Sequence, residues 1–111
     1  MDERLPAHVE VSGLLRAAQA AGGFGTVIAK GERDAGTILI LLTNRGMNAA
    51  VHERMPQLDG TRRWTVTRRQ DPEKPQELDE YLARRKRQDS DVWIVELDVA
   101  DPEHFAALQQ K

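Results

Sequence analysis

Among the residues able to do chemistry, Glu53 comes first. The register of its predicted hairpin puts it on the face shared by Val51, Met55, Trp64 and Val66, which otherwise looks core-directed, and a carboxylate there must find a partner or stay protonated. Glu96 and Asp98 alternate onto one face of a strand, and paired carboxylates are the minimum for metal-assisted or general acid–base hydrolysis. Arg84, Arg85, Lys86 and Arg87, with Arg62, Arg63, Arg68 and Arg69, could track phosphates, and Trp64 and Tyr81 could add stacking. Each group also has a structural reading. Glu53 pairs with an arginine, for which Arg68 is placed diagonally across a hairpin; Glu96 and Asp98 mark the solvent row of a strand end; the basic run is a solvated helix face.

Several chemistries find no support. The chain has 111 residues and no cysteine, which removes disulfides, thiolate zinc sites and cysteine nucleophiles. His8, His52 and His104 lie on three different elements without metal-ligand spacing, so no metal or other cofactor is expected. Gly22-Gly23-Phe24-Gly25 leads into a strand, whereas a phosphate cradle leads into a helix. The only serines, Ser12 and Ser90, are in no nucleophile elbow. Glu53-Arg54-Met55 has methionine where a nuclease E-x-K strand needs lysine.

The elements that must position these residues follow from periodicity. Val11, Leu14, Leu15 and Ala18 repeat at helical spacing, predicting a helix over about residues 7–21 that stops at Gly22-Gly23. Residues 24–30 and 37–43 read as two strands of a hairpin, and the uninterrupted run Ile38 to Leu42 places the second strand inside a sheet. Asp59-Gly60 predicts a two-residue type I′ turn between two further strands. That register sets Met55 opposite Trp64, Glu53 opposite Val66 and Val51 opposite Arg68, all on one face, with His52, Arg54, Thr65 and Thr67 on the other. Pro56 makes its strand an edge, or bulged near the turn. A second helix, with Leu78, Tyr81, Leu82 and Arg85 at helical spacing, ends on the basic run. Val92 to Asp98 is a fifth strand, and Asp101-Pro102 starts a short last helix.

The predicted fold is a single α+β domain over residues 1–111: an N-terminal helix, a four-stranded antiparallel meander, a helical crossover to a fifth strand and a short C-terminal helix. Arg4-Leu5-Pro6-Ala7, Glu53 through Gly60 and Trp93 through Asp98 resemble signature stretches of a small bacterial family, domain of unknown function 1491. The resemblance covers nearly the whole chain. It implies a single bacterial domain and brings no activity, substrate or catalytic residue.

Charge is uneven. The formal net charge is −2, yet residues 62–87 hold nine bases against five acids, and residues 89–103 hold six acids and no base. Such polarity favours pairing within the chain or between chains at least as much as nucleic acid. The apolar runs are far too short for a membrane span, and the acidic, proline-containing start is unlike a secretory signal, so a cytoplasmic location is expected. The reading is a non-enzymatic binding or interaction module, with an unknown protein partner or a second copy of itself. Nucleic-acid binding through residues 62–87 is the alternative, and a small hydrolase the third. The binding candidates are Glu53, Trp64, Arg68, Arg84, Arg85, Arg87, Glu96 and Asp98.

Overall fold

A computed structural model describes residues 5–110. Helix α1 (Ala7–Ala20) buries Ala7, Val11, Leu14 and Ala18 along one stripe. It ends in a Schellman motif: the Gly22 amide donates to Gln19 O at 3.0 Å and the Gly23 amide to Ala18 O at 2.9 Å. Gly22 takes the left-handed conformation at φ 83°, and a Cβ on Gly23 would stand 1.9 Å from Asp98 O. Both glycines are required, one by the turn and one by close approach of the backbone.

The strands are β1 (Phe24–Ala29), β2 (Ile38–Asn44), β3 (Met47–Pro56), β4 (Arg62–Arg69) and β5 (Trp93–Asp98). Helix α2 (Gln76–Gln88) precedes β5 and α3 (Pro102–Leu108) follows it. Among the described residues the result is an α+β fold with three helices and one mixed five-stranded sheet, in the order β1-β5-β2-β3-β4. The antiparallel meander is confined to β2-β3-β4. β1 and β2 do not form the expected hairpin, because β5 inserts between them, antiparallel to β1 and parallel to β2. Burial explains the insertion. β5 is apolar toward both faces, as β2 is, so it takes an interior position with two neighbours, while β1 is mostly exposed and takes the edge.

The two-residue turn with both central residues left-handed falls at Arg45-Gly46, φ 55° and 73°, between β2 and β3. Asp59-Gly60 instead belongs to a three-residue loop, Leu58-Asp59-Gly60. The Gly60 amide donates to Gln57 O at 3.1 Å, the Gln57 amide donates to Thr61 O at 2.7 Å, and Gly60 is left-handed at φ 87°. The extra residue slides the register by one, so Arg54 faces Trp64, Met55 faces Arg63 and His52 faces Val66. Met55 and Trp64 therefore lie on opposite faces, contrary to the sequence reading, and Trp64 and Val66 join His52 and Arg54. A bulge beyond His52 restores Val51 to Arg68. Pro56 needs neither an edge nor a bulge of its own strand: β3 is interior, but its pairing with β2 ends at His52, and Pro56 lies in the overhang.

The sheet divides two cores. On one face α1 and α3 cover Ile38, Ile40, Leu42, Trp64, Trp93, Val95 and Leu97. On the other, Leu78, Tyr81 and Leu82 of α2 cover Leu39, Leu41, Val51 and Ile94.

Candidate functional site

On the α2 face, Glu53 is 9% exposed. Its carboxylate accepts from Thr67 Oγ1 at 2.6 Å, Tyr81 OH at 3.1 Å and Arg85 Nη1 at 2.9 Å, and Arg85 Nη1 also donates to Tyr81 OH at 2.7 Å. Burial pushes the Glu53 pKa up, but the donors from Thr67, Arg85 and Tyr81 together with the Arg85 charge outweigh it and hold the carboxyl below its ordinary value. The expected carboxylate–arginine pair exists, with Arg85 of α2 as the partner in place of Arg68. The shifted register turns Thr65, not Val66, toward Glu53. Arg68 lies over the Tyr81 ring, 4.3 Å from its centroid, with Arg84 and Arg85 each at 5.8 Å.

The basic run is thus divided by helical geometry. Arg85 points at Glu53, and Lys86 Nζ donates to Lys30 O at 2.9 Å and Ser90 O at 2.8 Å, fastening the end of α2 to the loop before β2 and the turn before β5. Arg84 and Arg87 remain exposed. Glu96 and Asp98 share one face as predicted, the α2 face, and Asp98 is engaged by the backbone. Asp98 accepts from the Arg45 amide at 2.9 Å and the Gly46 amide at 2.8 Å, holding the β2–β3 turn. Trp64 is buried on the opposite face, away from Arg68 and Arg84. The guanidinium of Arg54 stacks 4.5 Å above it and pairs with both carboxylate oxygens of Glu10 on α1.

That opposite face holds a site not singled out from the sequence. Two adjoining grooves of about 340 and 370 Å³ run between the β3–β4 hairpin and α3, and His52, Val66 and Glu103 line both. The first is also lined by Asn44, Asn48 and Arg69; Asn48 is left-handed at φ 56°, a conformation asparagine tolerates better than most residues. The second reaches Trp64 and Gln110, whose amide accepts from Trp64 N at 3.0 Å and donates to Trp64 O at 2.7 Å, covering the free edge of β4 at that point.

His52 forms the floor and is 8% exposed. Burial lowers its pKa; the hydrogen bond to Ala50 O opposes this and the Arg69 charge adds to it, so the imidazole is neutral at physiological pH. Nδ1 lies 3.4 Å from Ala50 O, and a carbonyl only accepts, so Nδ1 carries the proton and Nε2 is the acceptor. No described side chain hydrogen-bonds Nε2, and His52 lines both grooves. Reading the Asp-Gly loop as three residues was the signal that would have put His52 beside Trp64 and Val66.

With the geometry in hand, residues 5–107 match the model of a family described as protein of unknown function (DUF1491). The chain belongs to this family. It is similar to two solved structures of a DUF1491 family protein from Caulobacter crescentus CB15. The crystal structure is 34% identical with a TM-score of 0.80, covering 92% of this chain and 94% of that one. The NMR structure is 33% identical with a TM-score of 0.74, covering 95% and 94%. A protein from A. tumefaciens solved in solution is 29% identical with a TM-score of 0.74, each chain covered to 98%. No curated protein matches the chain. The DUF1491 relatives are bacterial and carry no assigned activity, and no helix among the described residues is long and apolar enough to cross a membrane.

Proposed function

We propose that this DUF1491 chain is a small non-enzymatic binding module of the cytoplasm whose ligand enters the His52 groove. The observation that carries the reading is the imidazole itself, nearly buried, lining both grooves, with Nδ1 beside Ala50 O and no described side chain bonded to Nε2. A ligand must bring a hydrogen-bond donor to it. Arg69 on the β4 wall forms no ion pair among the described residues, and Glu103 lines the wall opposite. A small zwitterion answers both walls, its carboxylate at Arg69 and its ammonium shared between Glu103 and His52 Nε2. Leu42, Ala50 and Val66 offer an apolar floor to the rest of it. Binding suits this arrangement better than catalysis. Asp101, the acid beside Glu103, already accepts from the His104 amide at 3.1 Å as the cap of α3.

The test is titration of the isotope-labelled protein with a panel of free amino acids at millimolar concentration, followed by amide and imidazole NMR. Saturable shifts confined to His52, Val66, Arg69 and Glu103, and abolished in Arg69→Ala, are expected for at least one of them. Absence of saturable shifts across the panel, or shifts that survive Arg69→Ala unchanged, would overturn the reading.

A further inference from the structure

The α2 face carries a second cluster, on the other side of the sheet and independent of the groove. Three guanidinium groups surround one tyrosine ring, Arg68 at 4.3 Å and Arg84 and Arg85 at 5.8 Å from its centroid. A single carboxylate, Glu53, is bonded within the cluster, and its pairing is with Arg85 at 2.9 Å. Neither Arg68 nor Arg84 has a carboxylate at ion-pairing distance among the described residues. Two positive charges therefore remain uncompensated beside the ring.

Like charges in a cluster repel, so the arrangement needs a cause. The ring face attracts cations through its quadrupole, and it also restrains the guanidinium planes. Tyr81 is itself fixed: it is buried, its hydroxyl donates to Glu53 and accepts from Arg85, and Leu78 and Leu82 pack beside it. A guanidinium lying over a ring has one face covered while its N–H edges stay open to an acceptor. The exposed Arg68 from β4 and Arg84 from α2 thus present donors from two different elements around the same ring, with less rotamer entropy left to lose than two free arginines have.

We propose that Arg68 and Arg84, positioned by Tyr81 and by the Glu53–Arg85 pair behind it, form a binding site for a phosphate monoester dianion. Charge selects the class. A dianion with three terminal oxygens can take bidentate bonds from both guanidiniums and neutralise both, whereas one carboxylate offers two oxygens and a single charge. A polynucleotide is a different ligand: each of its phosphates carries one charge, and it would need a continuous basic track. Here Arg62 and Arg69 project to the opposite sheet face from Arg68 by strand alternation and the bulge.

The site is tested with inorganic phosphate at neutral pH and low ionic strength, following arginine Nε–Hε resonances and the Tyr81 ring by NMR. Saturable shifts at Arg68, Arg84 and Tyr81, with affinity at least about tenfold tighter for phosphate than for acetate, are expected. Arg68→Lys keeps the charge but loses the fork, and should weaken binding about tenfold. Arg84→Ala should do at least as much, and Arg87→Ala, whose guanidinium is not over the Tyr81 ring, should do nothing. Equal binding by Arg68→Lys would show that net charge alone attracts the ion, and non-saturable shifts spread over Arg62, Arg63 and Arg87 would mean unspecific screening; either overturns the site. A single-stranded RNA oligonucleotide provides the last arm. Tight binding whose salt slope reports several phosphates, weakened by Arg62→Ala and Arg69→Ala as strongly as by Arg84→Ala, would replace the dianion with a polynucleotide.

Discussion

Adjacent residues of β3 tether the two faces of the sheet, and they do it with opposite charge. Glu53 crosses to Arg85 on α2 beside Tyr81, while Arg54 crosses to Glu10 on α1 beneath Trp64. Each tether is an arginine–glutamate pair backed by an aromatic ring. Neighbours of opposite charge would neutralise one another in a flexible chain; strand alternation sends them to opposite sides, so each must find its partner on a different helix. The tethers differ in how much depends on the β3 residue. Glu53 takes three side-chain donors, whereas Arg54 grips one carboxylate, and the two pairs are otherwise about equally shielded from solvent.

That difference predicts unequal costs. Glu53→Ala leaves Arg85, Tyr81 OH and Thr67 without their acceptor, and breaking such a half-buried pair should cost about 3–5 kcal/mol. Arg54→Ala also loses a pair and a stack at a similarly shielded position, but leaves only the Glu10 carboxylate without its partner, and about 2 kcal/mol is expected. Urea denaturation of the two variants makes the comparison. Equal losses, or a larger one for Arg54→Ala, would mean that the additional donors around Glu53 contribute no stability.

Acid sharpens the same contrast. The folded protein holds the Glu53 pKa below the ordinary value of 4.5, so across that window the unfolded chain binds the extra proton. The contribution of Glu53 is therefore fully present above the unfolded pKa and is lost as pH falls through the folded one. Asp59, lowered by its bonds to Thr61, belongs to the same acid limb. Glu53→Gln isolates the first group: below pH 4.5 its stability should fall less steeply than that of the wild type, the Asp59 share remaining. Parallel curves would remove Glu53 from the acid response.

What could be read ahead of the structure was local. The α1 stripe and its glycine stop, the interior position of β2, the basic end of α2 and the Asp101 cap each depend on residues within a turn or two of one another. The register was not legible, because Asp-Gly serves a two-residue type I′ turn and the end of a three-residue loop equally well, and one residue of difference exchanges the faces of Trp64 and Val66. With it went the company of His52. The insertion of β5 between β1 and β2 and the choice of Arg85 over Arg68 depend on the path of α2 across the sheet, a long-range outcome that strand periodicity does not encode. Glu53 was singled out on the expected register, by a shared face with Trp64 and Val66 that the structure dissolves; what remains is that strand alternation puts Glu53 on the same side as Val51, against α2.

Thr43 supplies the counter-example on the same face as Glu53. It is 2% exposed, lies beside Asp98 in the parallel pairing of β2 with β5, and its Oγ1 has no partner among the described residues. Its carbonyl is satisfied by the Val99 amide at 3.0 Å, and both oxygens of the neighbouring Asp98 already hold Arg45 and Gly46, so the residue fits the sheet while its hydroxyl does not. An unpaired buried hydroxyl costs about 1–3 kcal/mol of desolvation, part of which the native packing cannot return. Valine has nearly the same shape, keeps the β-branched preference for a strand and has no polar atom to desolvate. Thr43→Val should therefore raise stability by about 1 kcal/mol, the smallest change and the only gain among these variants. A higher urea midpoint with an unchanged denaturant slope is the expected result. A lower midpoint would show that the hydroxyl is hydrogen-bonded in solution, and that Glu53 is not alone in being fully satisfied on the α2 face.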